Sequence, residues 1–112
     1  MNIAICDDEQ QDIDILYNYC KSCKLPYNIS TFLSASALLE AFKSQFYDLI
    51  FLDIEMSHSN GIETAQKIRE CDMNVPIVYI TSYVDYWRMA FKVHAFGCIT
   101  KPFNKNELDR KS

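Results

Sequence analysis

Unbroken apolar runs alternate with amphipathic stretches along this chain, and that alternation predicts its elements. Ile3-Ala4-Ile5-Cys6 and Leu49-Ile50-Phe51-Leu52 are short dry runs, each closed by a carboxylate, Asp7 (then Asp8) in the first and Asp53 in the second. Runs of that length without polar alternation suit strands covered on both faces. Val75-Pro76-Ile77-Val78-Tyr79-Ile80 is another dry run, with Pro76 tolerable near its start, and it ends in Thr81-Ser82. Tyr27 to Phe32 supplies a weaker strand, and Gly97-Cys98-Ile99-Thr100 a short one ending at Lys101-Pro102.

Between the runs the spacing becomes helical. Asp8 and Gln11 have capping-box spacing, and Ile13, Leu16, Tyr17 and Cys20 then fall on one face, until Lys24-Leu25-Pro26 stops the helix. Ala37, Leu38, Ala41 and Phe42 mark a second helix, capped by Ser34 or Ser36. A loop, Glu55-Met56-Ser57-His58-Ser59, leads to Asn60-Gly61. Asn60 and Glu63 repeat the capping-box spacing before a third helix striped by Ile62, Ala65 and Ile68. A fourth, roughly Asp85 to Val93, is apolar almost all round, which leaves a face for a partner. Asn104 to Ser112 begins a short final helix.

Strands alternating with helices predict an α/β fold, a doubly wound parallel sheet of five strands with helices on both faces. Right-handed crossovers bring every strand's carboxyl end to one edge. That edge collects Asp7, Asp8, Asp53, Thr81 and Lys101, so the clustering follows from topology rather than from nearness in sequence. Open α/β sheets place their ligands there.

Size and charge narrow the classes. At 112 residues the chain fits one domain, 1–112, with a single well-buried core. A net charge of −4 and the lack of any basic run disfavour direct nucleic-acid contact by this segment. No apolar run approaches bilayer length, and a strand starting at Asn2 leaves no room for a signal peptide, so the expected location is cytoplasmic, with no membrane contact. The five cysteines, Cys6, Cys20, Cys23, Cys71 and Cys98, fit reduced thiols in that compartment. Cys20-Lys21-Ser22-Cys23 has CxxC spacing but falls at the end of a helical pattern, not after a strand. Cys71, Cys98, His58 and His94 are scattered singly, so no metal is assigned to the thiols.

The acidic edge carries the chemistry. Three carboxylates in one pocket repel one another unless a cation joins them, and hard oxygen ligands with room for water suit Mg²⁺. Lys101 is a point charge suited to a phosphoryl oxygen, and Thr81 offers a hydroxyl. Together these make an apparatus for phosphoryl transfer. Singly, each residue reads more simply as a turn, a strand end or a solvated lysine.

Cys6-Asp7-Asp8-Glu9, Phe51-Leu52-Asp53-Ile54-Glu55-Met56, Asn60-Gly61, Ile80-Thr81-Ser82 and Thr100-Lys101-Pro102-Phe103 stand in an order and spacing that resembles the receiver domain of two-component response regulators. Stretches 3–9 and 52–56, with His94-Ala95-Phe96-Gly97, look most like regulators carrying a LytTR-type DNA-binding domain. The resemblance implies a flavodoxin-like fold with strand order 2-1-3-4-5. It implies that Asp53 accepts a phosphoryl group from a sensor histidine kinase. Asp7, Asp8 and Asp53, with the backbone carbonyl of Glu55, would hold Mg²⁺. Thr81 and Lys101 would bind phosphoryl oxygens, and Lys101-Pro102 would be cis. Phosphorylation would switch a surface of fourth helix, fifth strand and fifth helix, pair two receivers as a homodimer and control transcription through an output domain beyond this segment. A phosphoacceptor switch with at most slow self-phosphorylation and autodephosphorylation is not an enzyme in the usual sense.

Two positions depart from the family pattern. Ser57 stands where a proline usually follows the methionine, which loosens that loop. Cys98 stands three residues before the lysine, where Tyr or Phe usually swings inward as Thr81 moves. Cys98 is too small for that role, and Phe96 or Tyr83 are the substitutes the chain offers. Two other readings compete. A haloacid-dehalogenase-type phosphohydrolase wants Asp-x-Asp after the first strand and a longer chain. A degenerate receiver would act by protein binding alone, against the presence of all five chemical positions.

Overall fold

The computed structural model describes residues 1–23, 27–54 and 61–81, together with the backbone of 97–100. The elements run β1 (Asn2–Cys6), α1 (Gln10–Ser22), β2 (Asn28–Phe32), α2 (Ala35–Phe42), β3 (Leu49–Asp53), α3 (Gly61–Cys71), β4 (Ile77–Thr81) and β5 (Gly97–Thr100). All strand pairs are parallel, in the order β2-β1-β3-β4-β5. The expected fold class and strand order are those observed. The fourth helix, the final helix and the loop 55–60 with its Asn60 cap lie outside the described residues.

The dry runs are dry because each central strand feeds two cores. Ala4 and Cys6 of β1, Ile50 and Leu52 of β3, and Ile77 and Tyr79 of β4 join Ala35 and Leu38 of α2 and Ile62, Ala65 and Ile68 of α3. The alternate residues Ile3, Ile5, Phe51, Val78 and Ile80 pack with Ile13, Leu16 and Cys20 of α1 on the other face. Period-two side-chain alternation divides each strand between the faces. β2, at the sheet edge, is partly exposed along its length, which accounts for its weaker sequence signal.

Local differences from the sequence expectations have identifiable causes. Glu9, not Asp8, is the N-cap of α1, and its carbonyl accepts from the N–H groups of Asp12 and Ile13 at 3.1 and 3.2 Å. The carboxylate of Asp7 takes the N–H of Glu9 at 2.9 Å, so the turn is organised one residue earlier than a box starting at Asp8 would have it. Starting at Gln10, the helix buries Ile13, Leu16 and Cys20 but leaves Tyr17 37% exposed, with the Lys21 ammonium 5.6 Å from its ring centroid. Ser34 caps α2 by accepting from the N–H of Ala37, and Ala35 rather than Ala37 is buried. β4 begins at Ile77 because the backbone of Val75 is engaged by the preceding turn: its N–H donates to Asp72 and its carbonyl accepts from Arg69.

Candidate functional site: a carboxylate cluster at the sheet edge

Three strand ends build the site. β1 ends at Cys6, and the N–H of Asp7 extends its pairing with β2 by donating to the Phe32 carbonyl at 3.0 Å. Asp53 is the last residue of β3, opposite Ile80, and the N–H of Ile54 donates to the Ile80 carbonyl at 3.1 Å. Each acid is thus fixed by backbone that is still hydrogen-bonded into the sheet. Asp7 is 0% and Asp53 1% exposed, while Asp8 is half-buried and gives the cluster its side toward solvent. One carboxylate oxygen from each of the three lies within 4.8 Å of the others.

The electrostatic effect of this clustering is visible on Cys6, beneath it. Burial first, then the charges of Asp7, Asp53 and Asp8, push the Cys6 thiol up to about 12. It remains a neutral thiol, 3.5 Å from the Ser34 carbonyl to which it donates. The donor set fits a hard divalent cation: three carboxylates, two of them withdrawn from water, and no soft ligand deprotonated nearby.

Thr81 ends β4 one position beyond the residue opposite Asp53, fully buried, and pairs in register with Thr100 at the end of β5. Asp7, Asp8, Asp53 and Thr81 are therefore gathered at one edge, as the strand pattern predicted. β5 ends at the residue before Lys101. Lys101, Glu55, Phe96, Tyr83 and Pro102 lie outside the described residues, as does the side chain of Cys98, whose backbone pairs with Tyr79.

Gly61, quoted above within the Asn60-Gly61 stretch, holds α3 close to the site. Its N–H donates to the Ile54 carbonyl at 3.4 Å, bringing the start of α3 against the end of β3. A Cβ there would collide with the Cα of Ile54 and lie 2.6 Å from the Asp53 carbonyl oxygen. The available signal was a glycine opening a helix, where it costs stability unless backbone must approach closely.

A family model for the response regulator receiver domain matches residues 3–111. The chain belongs to that family. Receiver domains are phosphoacceptor switches rather than classical enzymes, are generally phosphorylated by sensor histidine kinases, and bind Mg²⁺ in an acidic pocket. This receiver is 34% identical over 115 residues to the sensory transduction protein LytR of Streptococcus mutans and 28% over 110 residues to LytT of Bacillus subtilis. Each match covers 98% of this chain and 46% of the relative, so the receiver spans about half the length of these curated relatives. Among solved structures it is similar to the response regulator TrrA of Thermotoga maritima, determined in complex with Mg²⁺ and BeF. The TM-score is 0.86 at 31% identity, over 98% of this chain and 94% of that one. A two-component response regulator from Clostridium difficile superposes with a TM-score of 0.88 at 26% identity, over 99% and 91% of the two chains.

Proposed function

We propose that this receiver accepts a phosphoryl group on Asp53 from a phosphohistidine of a sensor histidine kinase, in a Mg²⁺-dependent reaction. The observation that carries the reading is the meeting of Asp7, Asp8 and Asp53 carboxylates within 4.8 Å at one sheet edge. An Asp53 carboxylate oxygen attacks phosphorus; the new P–O bond forms as the P–N bond breaks, and the imidazole leaves, taking up a proton. Mg²⁺ held by Asp7, Asp8, Asp53 and the Glu55 carbonyl would neutralise charge on the transferring oxygens. The Thr81 hydroxyl and the Lys101 ammonium bind those oxygens afterwards.

The acyl phosphate adds about −1.5 to −2 charges at a strand end that was already acidic. Thr81 and Lys101 answer that charge and bias the surface of the fourth helix, β5 and the final helix toward pairing with a second receiver. Cys98 is too small for the usual inward aromatic, which leaves that part to Phe96 or Tyr83. The chain is the receiver portion of a longer cytoplasmic regulator of transcription, whose DNA contacts belong to its output domain. Its LytR- and LytT-type relatives and its net charge of −4 support that assignment.

Incubation with acetyl phosphate and Mg²⁺, followed by intact-mass measurement, tests the reading. One phosphoryl group is expected, absent in Asp53→Asn and absent when EDTA replaces Mg²⁺. An unmodified wild-type protein would instead make this a receiver that works by protein binding alone.

A further inference from the structure

The cysteine pair at the far end of α1 is not used by the phosphoacceptor site. Cys20 and Cys23 stand at the opposite edge of the sheet, where both line a cavity of about 180 Å³ with Met1, Ile3, Tyr27 and Phe51. The N–H of Cys23 donates to the Cys20 carbonyl at 3.3 Å. That is an i to i+3 bond, so the helix closes on a tightened turn in which side chains three apart eclipse. Cys23 keeps a helical φ of −71°, while its ψ of 137° sends the following chain away. At helical spacing the two Cβ atoms lie about 5–6 Å apart, so closure draws them together by about 1–2 Å. Three residues of helical rise separate the two Cα atoms by about 5–6 Å, inside the roughly 4.4–6.8 Å that a disulfide spans.

We propose that Cys20 and Cys23 form a reversible disulfide site, closed by exchange with a small-molecule disulfide. The two thiols have distinct parts. Cys23 is half-buried and reachable, and its thiol donates weakly to the Tyr19 carbonyl at 3.6 Å. Cys20 is 4% exposed and reached through the cavity. The Cys23 thiolate attacks one sulfur of the oxidant, forming a mixed disulfide and releasing the first small thiolate. Cys20 then gives its proton to water and attacks the Cys23 sulfur, expelling the second. Two electrons pass to the oxidant, the Cys20–Cys23 bond forms, and two small thiols result. The attacking species is a thiolate, so closure accelerates with pH. Burial, then the neighbouring Cys23, pushes the Cys20 thiol up to about 11, in keeping with its place as the second to react. Among the described residues no third metal-ligating side chain joins the pair, which separates it from a zinc site.

The test uses the chain with the exposed Cys71 changed to Ser, incubated with oxidised glutathione at mildly alkaline pH and mapped by non-reducing peptide mass spectrometry. The peptide holding both cysteines should lose two hydrogens, without a lasting glutathione adduct, and dithiothreitol should restore it. Cys20→Ala should trap glutathione on Cys23, and Cys23→Ser should leave Cys20 reduced. The half-buried position of Cys23 keeps the second variant informative if the first fails to fold. A lasting adduct on Cys23 when Cys20 is present, or unchanged Cys20 oxidation in Cys23→Ser, overturns the proposal.

Discussion

Gly61 packs its backbone directly against Ile54, so the start of α3 rests on the residue after the proposed phosphoacceptor. Gly61→Ala must push α3 and β3 apart, because the clash is with backbone and not with a flexible side chain. Overpacking of this kind costs about 1–3 kcal/mol. A lower urea midpoint is expected, with slower acetyl-phosphate labelling of Asp53 even under conditions where the variant stays folded. Unchanged values for both would mean that the two elements separate freely.

Asp7→Asn separates charge from shape. The amide keeps an oxygen for the Glu9 N–H and removes one of three clustered charges. Without divalent cation the variant should be more stable than wild type by on the order of 1 kcal/mol. Mg²⁺ should raise the melting temperature of the wild type and have little effect on the variant. Calorimetry in EDTA and in Mg²⁺ reads both, and a variant less stable in EDTA would contradict the repulsion argument.

Arg69 is buried despite its charge, and its guanidinium donates to the carbonyls of Val75 at 2.6 Å and Asp72 at 3.3 Å. Burial pulls its proton affinity down, while Tyr79 and Asp72 offset this. Arg69→Met keeps the packing stem and leaves those carbonyls without their charged donor, at about 1–3 kcal/mol. Chemical denaturation should show that loss, with the labelling of Asp53 retained in the folded fraction.

Alkaline pH should weaken the fold through Cys20. Its thiol ionises near 9 when unfolded and near 11 in the folded protein. Between those values the unfolded chain binds fewer protons than the native one, so stability falls as pH rises. The contribution is complete below about 9 and lost on the way to 11. Urea midpoints across that range should fall less steeply in Cys20→Ala than in the wild type.

The central strands and their acids were legible because a strand covered on both faces must be apolar at every position, and such runs stand out at Ile3–Cys6 and Leu49–Leu52. Topology then carries Asp7 and Asp53 to one edge without any contact being known. Other features depended on three-dimensional neighbours. The spacing of Asp8 and Gln11 matched a capping box, but the Asp7 carboxylate had already claimed the Glu9 N–H. Tyr17 lies at the border of the helical stripe, where it is 37% exposed beside the Lys21 ammonium. Arg69 carries no sign of burial in the sequence; the α3–β4 turn that folds back over it supplies the carbonyl of Val75. Gly61 names no neighbour in sequence, and its closeness to Asp53 appears only once α3 returns to the end of β3.

The order β2-β1-β3-β4-β5 also says when the acidic pocket comes into being. Asp7 follows β1 and Asp53 ends β3, adjacent strands that are not consecutive in the chain; β2 is made between them and lies on the far side of β1. Their meeting requires closure of a long loop, a slow and non-local event compared with forming any one helix. An amino-terminal fragment ending at Phe42 would carry Asp7 and Asp8 with no third acid to complete the pocket. The three-carboxylate pocket is therefore complete only once β3 is paired beside β1.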